Sequence, residues 1–310
     1  MAFDSASGSL VDVSPRRLAP GLMVGPLAFG CWRFTNPDVR EARIVIEGAL
    51  AAGMRLIDTA DIYGVRPDGN GFGANEAILG RVLADAPSLR REMVLATKGG
   101  IRPGVPYDSG AAQIRAACEA SLRRLGVDVV DLYQIHRHDL FTHPAELAGA
   151  VADLVESGKV RHVGVSNFTV AQTDALAAML PFPLASIQPE FSAACLDPVR
   201  DGTFDWAMRH RVTPLAWSPL AGGRLSDDAT TGPGIRAELL AVLDRLAERE
   251  GVPRSVVALA FVLAHPAAPI AIVGTQRPDR LAAATQALAV RLDRVDCYSI
   301  IEASEGVALP

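Results

Sequence analysis

The sequence predicts an α/β protein, a (β/α)8 TIM barrel, and three observations carry that reading. Short β-rich runs alternate with amphipathic helical stretches along the chain, the runs number eight, and polar residues collect where the runs end. Strand followed by helix, repeated, calls for a parallel sheet, because a parallel neighbour can be reached only by a long crossover connection.

The elements follow in order. LMVGPLAFG (22–30) supplies the first strand, and VREARIVIEGALAAGM (39–54) repeats its apolar residues at helical spacing. RLIDTAD (55–61) and MVLATKG (93–99) read as the second and third strands, and the helix AAQIRAACEASLRRLG (111–126) leads to the fourth, VVDLYQIH (129–136). After the helix PAELAGAVADLVESGK (144–159) come RHVGVSN (161–167), LASIQPEFS (184–192), TPLAWSPL (213–220) and PIAIVGT (269–275). Asn167 and Thr169 stand where a helix should begin, and Gly126 and Gly158 where helices should stop. Residues 255–274 are uncharged, but His265, Pro266 and Pro269 interrupt them, so they read as a buried helix, a stop and a buried strand rather than a membrane span. Phe204 and Trp206 are assigned to a helix packed on the barrel, and Arg123 and Arg124 to a solvated helix face.

An open doubly wound sheet is the competing architecture, and it normally shows a glycine-rich turn straight after its first strand. The loose GxGxxA at Gly69, Gly71 and Ala74 lies instead in a polar loop past Tyr63, and the strand after it ends in Lys98 rather than an acid. No boundary marks a second domain, so residues 1–310 are expected to form one barrel domain. A barrel of this kind takes about 250 residues. The surplus goes to the loops at 64–76 and 221–235 and to an extra C-terminal helix or tail.

Composition narrows the partners. With 30 Lys and Arg against 35 Asp and Glu, the net charge of −5 disfavours nucleic acid as the chief ligand. The 49% apolar and 21% charged residues are those of a folded chain rather than a disordered one. Cys31, Cys118, Cys195 and Cys297 form no CxxC pair, and the opening MAFDSASGSL has no apolar run, so a reduced, cytoplasmic protein without a secretory signal is expected.

Active residues of a (β/α)8 barrel sit at the C-terminal ends of strands and in the loops that follow. Asp58 ends the second strand, with Tyr63 five residues on; Lys98 ends the third and His136 the fourth. A tyrosine acting as general acid and base near neutrality needs its ordinary pKa of about 10 lowered by about 2–3 pH units. One cation about 4 Å away, at an effective dielectric near 20, supplies about 4 kcal/mol, enough for that. Lys98 is expected to be this cation, with Asp58 as its counter-ion and His136 orienting the substrate oxygen. Tyr63 would then protonate the alkoxide formed when hydride attacks a carbonyl.

These residues stand in stretches that resemble the aldo-keto reductases over nearly the whole chain. The matching stretches are GPLAFGCW (25–32), LIDTADIYG (56–64), LATKGG (95–100), LRRLGVDVVDLYQIHRHD (122–139), GKVRHVGVSNF (158–168), IQPEFS (187–192), AWSPLAGGRL (216–225) and VGTQRPDRL (273–281). The resemblance implies an NAD(P)-dependent oxidoreductase that reduces aldehydes or ketones, reversibly, and puts the catalytic tetrad on Asp58, Tyr63, Lys98 and His136. It puts Ser166, Asn167 and Gln188 on the nicotinamide carboxamide, Trp217 against the ring, and Ser218, Leu220, Gly222 and Arg224 along the pyrophosphate. Gly30, Cys31 and Asp58 join the cofactor set, and Gly274, Thr275, Gln276 and Arg280 face the adenosine ribose and its 2′-phosphate. Trp32, Tyr63 and His136 would line the substrate pocket. Ala283 and Ala284 replace a Glu-Asn pair common in the family, yet Arg280, helped by Arg277, keeps a guanidinium for a phosphate. NADPH is therefore expected ahead of NADH.

Two other classes remain open at this stage. The same barrel could serve as an NADP(H)-binding regulatory or redox-sensing subunit with little turnover. A metal-assisted hydrolase would use His136 with His138, but no third ligand at a comparable strand end accompanies them, and no metal site is expected.

Overall fold

In the computed structural model, which describes residues 8–65 and 69–310, eight parallel strands pair side by side and close into a barrel. They are β1 (Leu27–Gly30), β2 (Leu56–Asp58), β3 (Val94–Gly99), β4 (Val130–Ile135), β5 (Val160–Ser166), β6 (Ser186–Gln188), β7 (Thr213–Ala216) and β8 (Ile270–Val273). Seven lie within the predicted runs, and β5 starts one residue before its own. Every residue of β3 and β4 is buried, as expected of strands covered on both faces. The first seven residues of the opening segment read for a secretory signal, and residues 66–68 of the loop after Tyr63, lie outside the described residues.

Three boundaries differ from expectation. The predicted first strand, 22–30, divides at Gly25-Pro26. Leu22–Val24 turns back on Arg16–Ala19 as an antiparallel hairpin, and only Leu27–Gly30 enters the barrel. Pro26 has no N–H for a ladder but keeps its carbonyl, which accepts from Ala271 N at 3.0 Å. The sixth and seventh runs end at Gln188 and Ala216, before Pro189 and Pro219. A second hairpin, Ile101–Arg102 with Val105–Tyr107, follows β3 and turns at Gly104, whose φ is +85°.

Around the barrel run α1 (Val39–Ala51), α2 (Ala74–Asp85), α3 (Ala111–Leu125), α4 (Pro144–Glu156), α5 (Val170–Ala177), α6 (Thr203–His210), α7 (Ala237–Glu250), α8 (Arg254–Leu263), α9 (Pro278–Ala284) and α10 (Arg294–Glu305), besides single-turn segments. The chemistry of their ends is local. Asp38 accepts from the N–H groups of Arg40 and Glu41 to start α1, Thr169 and Gln172 form a capping box on α5, and Gly126 ends α3 in the left-handed region. Phe204 and Trp206 are buried on α6, and α8 with β8 forms the predicted buried helix and strand. No described helix is long and apolar enough to cross a membrane.

Two apolar layers result. The larger lies between strands and helices. The smaller fills the barrel with Ala28, Leu56, Val94, Ala96, Leu132, Leu215, Ile270 and Ile272, and Leu18 and Val24 of the N-terminal hairpin join it. Thr213 Oγ1 ties that hairpin to β7 by donating to Arg17 O at 2.7 Å. Towards the C-terminal ends of the strands the interior turns polar, because alternation along β2, β3, β4 and β6 brings Asp58, Lys98, Gln134, Ser186 and Gln188 inward. In register, Lys98 lies beside Gln134, Gln134 beside Gly164, and Gly164 beside Ser186. Gly164 makes this row possible, since a Cβ there would stand 2.1 Å from Ser186 Oγ.

Candidate active site

Tyr63 is brought over the polar row by the turn that follows β2. Thr59 N and Asp61 N still donate to Ala96 O and Lys98 O, at 2.9 and 3.1 Å, so the turn leaves the barrel edge only after Asp61. The Lys98 ammonium, fully buried, then reaches three oxygens: Asp58 Oδ2 at 2.6 Å, Thr59 O at 2.9 Å and Tyr63 Oη at 3.0 Å. An ammonium has three donors, and all three are used. His136 completes the group, its ring edge-to-face with Tyr63 at 5.8 Å, while Trp32 stands edge-to-face on another side of Tyr63 at 5.0 Å. Trp32 is 44% exposed, so it stands at the surface beside Tyr63 rather than in the core.

Electrostatics give each group a distinct state. Burial alone would lower the Lys98 pKa, but Asp58 and Tyr63 together hold it above the ordinary lysine value, so the ammonium stays charged. His136 is pushed well below the usual histidine range by burial and by the charges of Lys98 and Arg137, which makes it neutral near pH 7. The expected lowering of Tyr63 does not appear. Burial raises its phenol above the ordinary value; Lys98 pulls it down and Asp58 pushes it back up. The cation is where the sequence reading put it, but Asp58 at 2.6 Å already balances much of its charge. Tyr63 is accordingly a protonated phenol at neutral pH, the state a proton donor requires.

The remaining candidate residues fall into three groups. Ser166, Asn167, Gln188 and Trp217 converge at the ends of β5, β6 and β7: Ser166 Oγ donates to Gln188 O at 3.0 Å, Asn167 Nδ2 to Ser166 Oγ at 2.9 Å, and Trp217 Nε1 to Asn167 Oδ1 at 3.0 Å. The loop after β7 holds Ser218, Ala221, Gly222 and Gly223 at φ values of +49°, +50°, +71° and +100°. The turns are closed by their own backbone, Ala221 N donating to Ser218 O at 2.7 Å and Gly223 N and Leu225 N to Leu220 O at 2.9 and 3.2 Å. Arg224 braces that loop by donating to Ala221 O and Pro233 O at 2.8 and 2.9 Å, and Arg33 Nη2 reaches across the mouth to Gly222 O at 2.7 Å. Gly30 and Gly274 face each other at the ends of β1 and β8, with Thr275 and Gln276 following. Arg280 lies 3.8 Å from Asp228, and Arg277 pairs with Asp279 at 2.6 Å. Cys31 is fully buried and its thiol is pushed up by burial and by Asp58, so it offers backbone and volume rather than a thiolate. His138 packs edge-on to Phe168 at 5.2 Å.

Sequence reasoning passed over four residues or their roles here. Gln134, two positions before His136 and so on the same strand face, donates to Asp58 Oδ1 at 3.1 Å. Asn75 and Glu76, at the start of α2, are both fully buried. Asn75 Nδ2 donates to Cys31 O at 2.6 Å and Trp32 O at 3.3 Å, which fixes the backbone at Trp32. Glu76 accepts from Thr97 Oγ1 at 2.5 Å and from Arg124 Nε at 2.7 Å. Arg124 is therefore not on the solvated face expected of it. A buried carboxylate needs a counter-charge, and the Arg124 side chain, 23% exposed, turns in to provide it. Alternation along β4 could have exposed Gln134, whereas nothing local links residues 76 and 124.

A closed barrel with a lysine–carboxylate–phenol cluster and a neutral histidine at the C-terminal ends of its strands defines an oxidoreductase working on carbonyl or hydroxyl carbons. The model of the Aldo/keto reductase family matches residues 26–305. The chain is 46% identical over 293 residues to a 6-dehydroglucose reductase of Novosphingobium aromaticivorans, covering 94% of this chain and 95% of that one. It is 38% identical to the Oxidoreductase YdhF of Escherichia coli, over 91% of this chain and 94% of the other. Among solved structures, the glycerol dehydrogenase of Gluconobacter oxydans superposes with a TM-score of 0.81 at 29% identity, over 96% of this chain and 97% of that one. The chain belongs to the aldo-keto reductase family, whose members act on small carbonyl substrates with nicotinamide cofactors.

Proposed function

We propose that the protein is an NADPH-dependent reductase of aldehydes or ketones, with Tyr63 as the general acid and the reaction reversible. The observation that carries the reading is the ammonium of Lys98 held between Asp58 Oδ2 and Tyr63 Oη at 2.6 and 3.0 Å. NADPH, when bound, supplies the hydride from nicotinamide C4. Ser166, Asn167 and Gln188 are proposed to hold the carboxamide and Trp217 the ring; the turned backbone at 218–223 with Arg224 would take the pyrophosphate, and Thr275, Gln276 and Arg280 the 2′-phosphate end. Gly274 leaves space beside Gly30 O, whereas a Cβ on Gly30 would stand 2.7 Å from Ile272 Cγ2, so Gly30 lets β1 pack on β8. Arg280 favours the phosphate, with Asp228 as the anion it must exchange for it.

The chain's own groups then divide the work. Neutral His136 offers one ring N–H to the carbonyl oxygen and orients it. Tyr63, protonated, lies ready to hand its proton to the oxygen as it gains charge, and Lys98 stabilises the phenolate left behind. Asp58 keeps the ammonium in place through the 2.6 Å contact of its Oδ2. In the oxidative direction the same phenol must first lose its proton, so a Tyr63 held above its ordinary value makes alcohol oxidation an alkaline reaction.

The relative's name makes 6-dehydroglucose the first carbonyl to test. Fluorescence titration with NADPH and NADH, followed by a carbonyl panel read at the nicotinamide band, should show tighter NADPH binding and turnover. Tyr63→Phe should bind NADPH as the parent does and lose at least about a thousandfold in kcat, within the range for a general acid. A Tyr63→Phe variant reducing any panel member at the parental rate would refute the mechanism. Tight NADPH binding with no turnover across the panel would favour a regulatory subunit.

A further inference from the structure

Asp58 is held from both of its oxygens. Oδ2 carries the Lys98 ion pair at 2.6 Å, while Oδ1 accepts from Gln134 Nε2 and Gln188 Nε2, each at 3.1 Å. The amide oxygen of Gln134 accepts in turn from Ser186 Oγ and Gln188 Nε2, both at 3.3 Å. All five side chains are essentially inaccessible to water. Gln134 is thus the hub of a dry amide network on the Asp58 oxygen that does not face Lys98, and the missing side chain at Gly164 gives it space, since a Cβ there would lie 3.2 Å from Gln134 Cγ.

We propose that Gln134 is a positioning residue for proton transfer: by donating to Asp58 Oδ1 it draws carboxylate charge away from Lys98 and leaves more of the ammonium's field for the Tyr63 hydroxyl. This rests on the reading of Tyr63 as the general acid. In a buried site two amide donors on one oxygen disperse its charge, and the opposite oxygen binds its cation less completely. Without Gln134, Asp58 neutralises Lys98 more fully and the phenol holds its proton more tightly. The groups facing that phenol are Lys98 from β3, Asp58 from β2, Cys31 after β1 and His136 after β4. Only Lys98 among them favours the phenolate, so weakening its influence has one sign.

The test is Gln134→Met, similar in volume but without the donor, compared with Gln134→Glu, which keeps an acceptor for Ser186. The tyrosinate ultraviolet titration of each holoenzyme is read against the same protein carrying Tyr63→Phe, which isolates Tyr63 from the other three tyrosines. The alkaline limb of kcat for carbonyl reduction is read alongside. Both midpoints should move up by about one pH unit in Gln134→Met, the size of one charge-assisted hydrogen bond. Gln134→Glu should move them at least as far, through a second carboxyl beside Asp58. Midpoints that superpose on the parent in folded Gln134→Met, or in folded Gln134→Glu if the first variant fails to fold, overturn the proposal. The spectroscopic midpoint needs no turnover. A Gln134 shift there with turnover unaffected by Tyr63→Phe would sink the general-acid reading while leaving the electrostatic link intact.

Discussion

Replacing Arg124 by methionine removes the counter-charge of Glu76 while keeping most of the aliphatic stem. Glu76 is wholly buried and divides its oxygens cleanly: Oε1 keeps Thr97, but Oε2 loses both Nε and Nη2 of Arg124, each 2.7 Å away. Breaking a buried pair from one side typically costs about 3–5 kcal/mol, because the remaining charge is stranded. Arg124 is itself 23% exposed, and water can follow into its place, so the lower figure of about 3 kcal/mol applies. In a chain of this length about 1 kcal/mol lowers Tm by about 2 °C, and a fall of about 6 °C is expected. The assay is thermal unfolding of the parent, Arg124→Met, Glu76→Gln and the double variant. The neutral amide introduced by Glu76→Gln can still accept from Thr97, so the double variant should recover more than half of the loss, with a strong coupling in the cycle. A fall of less than about 2 °C for Arg124→Met, or additive single effects, would refute the stranded-charge argument.

Asp61 makes a pH prediction. It is buried, its Oδ1 has no partner among the described residues, and burial together with Glu76 pushes its carboxyl up to about 8, against about 3.9 in an unfolded chain. The folded form therefore holds the proton more tightly, so this contribution to stability is full below about pH 4 and is lost as pH rises through 8, at up to about 1.4 kcal/mol per pH unit. Asp61→Asn should match the parent in Tm near pH 4.5 and exceed it near pH 9; parallel Tm profiles would reject the assignment. Gly164→Ala places a Cβ 2.1 Å from Ser186 Oγ. An overpacked site costs about 1–3 kcal/mol, so the urea midpoint should fall, with a larger loss of kcat than in Ser186→Ala. Equal midpoints for Gly164→Ala and the parent would show that the polar row does not need the gap.

Much of the fold could be read from local pattern, because each strand carries its own signal and the helices between carry theirs. The error at 22–30 arose where two strands run together in sequence, one in a hairpin and one in the barrel, and only a Gly-Pro pair divides them. Asp58, Tyr63, Lys98 and His136 were legible because each lies at or just past a strand end, and a barrel brings strand ends together. Their energetics were less so. The sign of the Tyr63 shift depends on how dry the site is and on how tightly Asp58 holds Lys98, and neither is written in spacing. Glu76 and Arg124 are 48 positions apart and meet only because α2 packs on α3, so Arg124 looks like any surface arginine until the helices are placed.

The N-terminal hairpin has a bearing on proton traffic. Leu18 and Val24 cork the barrel beneath the apolar layer of Leu56, Val94 and Leu132, directly under the polar row. Among the described residues, the hairpin thus fills the end of the barrel opposite the polar row. On the proposed mechanism, a proton that replenishes Tyr63 between turnovers is expected to enter at the other end of the barrel, where Trp32 and His136 flank the phenol and where the carbonyl would also arrive. Re-protonation and product departure would then share that end.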